Sequence, residues 1–389
     1  MNVPKLRFKE FNDEYIQKDL SEISIMIKDG THGTHENYQE GIPLLSAKDI
    51  NNNKINIPKD CRKISAKDFN KIYKNYSLIE NDVLLTIVGT IGRTALYKNE
   101  KVAFQRSVAS IRIDNNNNSN YIKQYTESPK ILNQLNNMTN SSAQGGVYLS
   151  SLSKLKFGLP TKKEQIKVSN FLSLLDKKIE LQTKKIEDLK LFKLYTENNL
   201  LNSDDSINWK ETKLSDILIE GNKIPVKNTS DFKKITIKLN LNGLEFNETK
   251  REMSDKRPFY IREENEIIIG KQNYFNGSIA IVTKEFAGCI CSNAIMSFNV
   301  KEEFDLDYVY LYLSQKKYMK QREFLANGTG QKELSEKEFL KFTIKIPDDS
   351  TIKKIISIIN VINKKINLEN NKLSKLIEQK KGLTQKMFV

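Results

Sequence analysis

The sequence predicts an α+β protein built by duplication: two globular halves of mixed β-sheet with short helices, related by pseudo-two-fold symmetry and separated by two long antiparallel helices forming a coiled coil. Three observations predict it. The string Tyr15-Ile-Gln-Lys-Asp-Leu20-Ser-Glu-Ile23 returns as Trp209-Lys-Glu-Thr-Lys-Leu214-Ser-Asp-Ile217, 194 residues further on. Phe157-Gly-Leu-Pro160 precedes one long helical pattern and Ile344-Lys-Ile346-Pro347 precedes another, 187 residues further on. Those two patterns carry the same apolar seam, Leu172, Leu175, Ile179, Ile186 and Leu189 against Ile359, Ile362, Ile366, Leu373 and Leu376, again displaced by 187. Self-similarity at a fixed displacement marks a repeat, and steps of three and four mark a coiled-coil stripe.

In chain order this gives a first globular domain (1–159), a central spacer helix (160–201), a second globular domain (202–349) and a C-terminal spacer helix (350–389). In the first domain Asp82–Arg93 reads as a strand running into the turn Gly89-Thr-Ile-Gly92, followed by strand-like Thr94–Tyr97 and Val108–Ile113; Asn115–Asn118 reads as a solvated loop tip. The central helix has no internal Pro or Gly, and from Ile166 to Leu201 it would extend about 50 Å at 1.5 Å per residue. Its seam would be an exposed stripe on an isolated helix, so the two long helices are expected to pack on each other. An approximate two-fold axis perpendicular to them makes the pair antiparallel. Gln182 and Glu369 interrupt the two seams at the same point, a polar break of the kind that fixes register. Ser203–Ser206 marks a linker, and the second domain repeats the strand pattern as Glu266–Gly270, an Asn276-Gly277 turn, Ile279–Val282 and Ala294–Val300.

Composition narrows the classes. The 389 residues allow two or three domains, and 38% hydrophobic with 29% charged residues describes a folded globular chain. Lys and Arg exceed Asp and Glu by 63 to 48, a net +15 that favours an anionic partner. The excess is uneven: residues 1–159 hold 22 basic and 16 acidic side chains and 202–349 hold 23 and 24, whereas the two helices hold 18 and 8. Most of the positive charge therefore rides on the helices, where it can meet phosphates or an acidic protein surface. Cys61, Cys289 and Cys291 give no disulfide framework, and a reducing, cytoplasmic location is expected. Cys289 and Cys291 have no second pair, and the histidines, His32 and His35, are remote in sequence, so no metal site is expected. MNVPKLRFKEF lacks an apolar core of signal-peptide length, and no run of about 18 apolar residues occurs, so neither export nor a membrane partner is expected.

Catalytic devices are equally scarce. The sequence has no GxxxxGK[ST] phosphate loop, no Asn-Pro-Pro-aromatic tetrapeptide and no GxGxxG between a strand and a helix. Gly89-Thr-Ile-Gly92 reads as a turn between strands rather than a phosphate cradle. A nucleophilic triad would have to use His32 or His35, whose segment lacks the strand-to-helix elbow that exposes a serine. Glu378-Gln-Lys380 reads as a solvated helix face.

Local strings then carry a resemblance. Asp29-Gly-Thr-His-Gly-Thr-His35, Gly41–Ile50, Asp82–Arg93 and Gln105-Arg-Ser-Val-Ala109 resemble one target-recognition domain; Gly270–Gly277, Cys291–Ser297 and Gly328–Leu334 resemble another class of it. Over essentially its whole length the chain resembles the DNA specificity subunit of type I restriction-modification systems. The resemblance implies a non-catalytic subunit that binds no cofactor and reads a bipartite double-stranded DNA target, one half-site per domain, with the helices setting the gap. It also implies two methyltransferase subunits using S-adenosylmethionine and two restriction (motor-nuclease) subunits using ATP and Mg. Paired Asn or Gln bonds suit adenine and Arg or Lys suits guanine. The expected DNA-binding residues are therefore His32, Thr34, His35, Arg93, Gln105, Arg106, Ser107, Gln144 and Tyr148 in the first half, and Lys271, Gln272, Asn273, Tyr274, Asn276, Ser292, Asn293, Thr329, Gln331 and Lys332 in the second. The rival reading is a coiled-coil scaffold or interaction protein whose basic second helix, with Lys353, Lys354, Lys364, Lys365, Lys372 and Lys375, binds a partner without sequence-specific DNA recognition. A methyltransferase or nuclease fused to its own recognition halves is disfavoured by the missing motifs.

Overall fold

A computed structural model describes residues 3–140, 145–202, 209–247, 257–323 and 333–389. The chain forms two compact units, Met1–Lys184 with Asn370–Val389, and Lys185–Glu369. Each unit thus takes one globular part together with the stretches of both long helices that pack on it.

In the first unit Val108–Ile113 is a central strand, paired antiparallel with Ser24–Asp29 on one side and Val83–Thr86 on the other, and Thr94–Leu96 completes a four-stranded sheet. Successive side chains of a strand point to opposite faces. Val83, Leu85, Ala109 and Ile111 accordingly join one core with Tyr121, Tyr125 and Ile131, while Leu84 and Val108 join another with Leu45 and Phe104. Burial on both faces explains why these strands read as continuous apolar runs.

The second unit repeats the plan. Ile295–Val300 is central between Leu218–Glu220 and Ile267–Gly270, with Ile279–Ile281 outermost. Ile267 and Ile269 face the helices, while Ile268 faces Ile235, Val282 and Cys291. The helix after the central strand is Ser119–Thr126 in one unit and Leu306–Leu313 in the other, and the strand that precedes each long helix is Lys156–Leu159 or Thr343–Ile346. All are displaced by 187 residues, and their capping is too: Asn118 Oδ1 accepts from Tyr121 N at 2.8 Å and Asp305 Oδ1 from Tyr308 N at 2.8 Å. Asn118 is therefore a helix cap, because the chain it ends turns directly into Ser119–Thr126 rather than lying loose in solvent.

What differs is the chain inserted between the repeated strands. In the first unit Ile42–Leu45 pairs with Lys63–Ile64 and, in parallel, with Ala103–Phe104. In the second, Ile235–Ile237 pairs with Leu244–Phe246, and Phe259–Ile261 with Ile290–Ser292.

The long helices are Lys162–Leu201 and Asp349–Met387. Asp176 meets Lys380 at 2.6 Å in the first unit, and Lys185 meets Glu369 at 3.1 Å in the second, so numbering falls along one helix as it rises along the other. They are antiparallel. All ten seam residues are buried or half-buried. The polar break at Glu369 is fully buried and held by Lys185 and by Lys365 at 3.4 Å. Lys380 departs from the expected solvated face: it reaches inward to Asp176 and to Glu127 at 3.3 Å, two half-buried carboxylates that a cation between them balances, while Glu378 stays exposed. The helix ends are anchored as well. Leu201 lies in the core of the second unit, and Met387 with Phe388 in the core of the first.

Candidate nucleic-acid interface

In the first unit the chain leaves the edge strand at Gly30 and passes so close to its neighbour that a Cβ there would lie 2.1 Å from the Phe104 carbonyl oxygen. That approach lets Thr31 N donate to Phe104 O at 2.8 Å and Arg106 N to Thr31 O at 3.1 Å. Ile87 N donates to Ser107 O, and Val147 N to Ile87 O, each at 2.9 Å. Four stretches separate in sequence, 30–35, 87–93, 105–107 and 145–148, are thereby laced through the backbone into one continuous patch. His32, Thr34, Arg106 and Tyr148 are exposed on it, and Arg93 and Gln105 are half-buried. His32 Nε2 lies 2.6 Å from Asp29 Oδ2, so its ring is oriented by a carboxylate.

Two residues turn inward instead. The His35 side chain is 8% exposed, its Nε2 2.8 Å from Thr31 Oγ1 and its Nδ1 3.6 Å from Asp68 Oδ1, so it props the loop from beneath. Ser107 Oγ accepts from Ala47 N at 3.0 Å and is committed to the neighbouring turn. Gln144 lies outside the described residues.

In the second unit the turn after Ile267–Gly270 is fastened on three sides. Lys271 N donates to Ala294 O at 3.0 Å, Asn293 N to Pro258 O at 3.0 Å, and Asn240 N to Asn276 O at 2.8 Å. Gln272, Asn273, Asn276 and Asn293 are exposed, with Lys271 and Ser292 half-buried. Lys271 Nζ is 3.6 Å from Glu336 Oε1. Tyr274 corrects the expectation: it is fully buried, its ring 5.5 Å from Phe339 and its hydroxyl donating to Leu313 O at 2.9 Å. A large amphipathic ring with a backbone partner within reach gains more from the core than from solvent. Thr329, Gln331 and Lys332 lie outside the described residues.

Sequence reasoning missed the hairpin tip beside this turn. Asn240, Leu241 and Gly243 have φ of 59°, 61° and 76°, and Lys238 N closes the tip on Gly243 O at 2.9 Å. Lys238, Asn240 and Asn242 are exposed. The signal was present as Asn242-Gly243 between apolar residues, the pair that tolerates left-handed backbone at a hairpin.

Among the described residues no group of three His, Cys, Asp or Glu is placed to hold a metal ion. Cys289 and Cys291 are buried, and burial pushes both thiols up. No described helix is long and apolar enough to cross a membrane.

One sheet-and-helix unit built twice, each copy presenting polar turns at the ends of its strands and joined to the other by paired helices, defines a duplicated recognition protein. The profile of the type I restriction modification DNA specificity domain matches residues 12–191 and again 206–379. The chain belongs to that family, the non-catalytic, DNA-binding component of type I restriction-modification systems. It is 21% identical over 417 residues, covering 98% of this chain and 94% of the relative, to a protein of Methanocaldococcus jannaschii assigned as the specificity subunit of the type I restriction enzyme MjaX. Its fold matches the S subunit of the type I restriction-modification system from M. genitalium, with TM-score 0.57 at 15% identity, over 100% of this chain and 99% of that one. A second match, with TM-score 0.56 at 12% identity and covering 97% and 98%, comes from a structure describing complex assembly and conformational transition of the type I R-M system.

Proposed function

We propose that the chain reads a bipartite, non-palindromic double-stranded DNA target in the cytoplasm, one half-site per globular domain, and that the two long helices set the gap between half-sites. The observation that carries this reading is the division between what repeats and what does not: the central strand, the capped helix after it, the strand before each long helix and the long helix itself recur at a displacement of 187, while the inserts and strand-end turns differ. The residues that would touch DNA are His32, Thr34, Arg93, Gln105, Arg106 and Tyr148 in the first domain, and Lys271, Gln272, Asn273, Asn276, Ser292 and Asn293 in the second, joined by Asn240 and Asn242.

The same chain would scaffold two methyltransferase subunits, which supply S-adenosylmethionine chemistry, and two restriction subunits, which use ATP and Mg. An outward stripe supports the pairing with two identical partners. Leu174, Lys177, Lys178 and Leu181 share one helix face and return 187 residues later as Val361, Lys364, Lys365 and Leu368; the four apolar members are between 57% and 68% exposed. Two like stripes on one asymmetric chain suit two copies of one acidic, partly apolar surface.

Exchanging 1–159 for the equivalent domain of a relative tests the reading. Methylation in cells that also carry the modification subunit should move to a new first half-site and keep the second. A change in both half-sites, or methyl transfer by the chain alone, would overturn it.

A further inference from the structure

We propose that Arg262 is a positioning residue for recognition by the second domain, fastening the variable ribbon that carries Ser292 and Asn293 to the repeated sheet; the proposal rests on the half-site reading above. Arg262 is 1% exposed and heads the fully buried side chains by volume. Its Nε donates to Cys291 Sγ at 3.0 Å. Its Nη1 donates to Ser297 Oγ and, at 3.4 Å, to Asn222 O, and lies 3.6 Å from Glu266 Oε2. Cys291 belongs to the ribbon Phe259–Ile261 with Ile290–Ser292, which is part of the insert. Ser297 lies on the central strand of the sheet, and Glu266 directly precedes the strand Ile267–Gly270 beside it. One guanidinium thus spans the boundary between the variable and the repeated parts of the unit.

Glu266 makes that link demanding. It is 0% exposed, and neither carboxylate oxygen accepts a hydrogen bond from the described residues, so the nearby Arg262 cation is what balances its charge. The chain has cleared space for the cluster: a Cβ on Gly221 would lie 2.1 Å from Ser297 Oγ and 2.9 Å from Glu266 Oε1.

The first unit shows that the fold does not need its cation from the insert. Asp82 precedes Val83–Thr86 as Glu266 precedes its own strand, and it is buried too. Its partner is Arg112, which donates through Nε at 2.9 Å and Nη2 at 2.8 Å from within the central sheet strand. Only in the second unit is the acid answered from the insert. The geometry therefore ties the register of the ribbon, and with it the Ser292-Asn293 turn at its end, to a fixed point of the scaffold.

The test uses the full chain with its modification subunits and duplexes in which one half-site at a time is mismatched. Arg262→Met alone would strand a buried carboxylate, so the informative variant is R262M/E266Q, which removes both charges. Its thermal midpoint should stay close to that of the wild type, first-half-site discrimination should be unchanged, and second-half-site discrimination should fall by about tenfold or more, the scale of one base-pair mismatch. Arg262→Lys should recover part of the discrimination. Discrimination unchanged at both half-sites would overturn the proposal, as would a parallel loss at both together with a fall in the midpoint. If the exchange of 1–159 altered both half-sites in the otherwise wild-type chain, the half-site reading itself would fail, whatever Arg262 does.

Discussion

Tyr125 and Phe388 stack nearly face to face, ring centroids 4.6 Å apart and planes 20° from parallel, although the second unit's entire sequence lies between them. Tyr121 adds an edge contact to Phe388 at 5.2 Å, and the Tyr125 hydroxyl donates to the Val389 carbonyl. The last turn of the C-terminal helix is thus part of the first unit's core. Phe388→Ala should destabilise that unit by about 3–5 kcal/mol, the usual cost of deleting a buried ring. Denaturant unfolding followed by a probe in the first domain checks this, and an unshifted midpoint would show the last turn to be dispensable.

Glu127 gives the first unit a pH dependence. Burial alone would raise its carboxyl pKa, but the Lys123 and Lys380 cations, at 2.6 and 3.3 Å, and the donating Thr94 hydroxyl outweigh burial and hold it below the ordinary carboxylate value. Because the folded value is the lower one, the stabilisation is complete above the unfolded carboxyl range and is lost as pH falls through the folded value. Glu127→Gln should cost about 3 kcal/mol at neutral pH, since it leaves the buried Lys123 without its carboxylate while Lys380 keeps Asp176, and the gap to the wild type should narrow in acid. Equal gaps at neutral and acid pH would refute this.

The backbone approach at Gly30 should not survive a side chain. Gly30→Ala must push the loop 30–35 off the Phe104–Ser107 stretch, at a cost of about 1–3 kcal/mol, because the obstructing atom belongs to the main chain. Methylome sequencing should then show relaxed recognition at the first half-site with the second intact.

Converting Leu174 and Leu181 to Glu should reduce the modification subunits bound per chain from two to one, and the same change at Val361 and Leu368 should do likewise. Mass determination of the assembled complex reads this directly. Two subunits bound to both variants would remove the stripe from the interface.

Much of this architecture is legible in the residues because its causes are local. The three-and-four spacing of the long helices specifies their buried face, and strands buried on both sides, such as Val83–Thr86, announce themselves as unbroken apolar runs. The inserts are not legible in this way: the pairing of Ile50–Asn51 with Lys54–Ile55 spans two residues per strand, too few to carry a period. The candidate site divides similarly. Polar turns beside glycines could be located, but Tyr274 and the exposed Asn273 are neighbours in sequence, and only the packing of Phe339 and the Leu313 carbonyl decides which faces water. The Arg262–Glu266 pair has the helical spacing of four residues and no helix, so sequence offers no reason to join them.

The two pieces of the first unit are separated by all of the second. During synthesis Tyr125 leaves the ribosome early, while Phe388 is added only after the whole of the second unit. The second unit is then already complete in sequence and free to fold, whereas the first must wait with an open aromatic cleft. A release of the nascent chain before residue 370 would yield a molecule able to finish only its second half, and a cell would meet such fragments as half-formed proteins exposing Tyr121 and Tyr125.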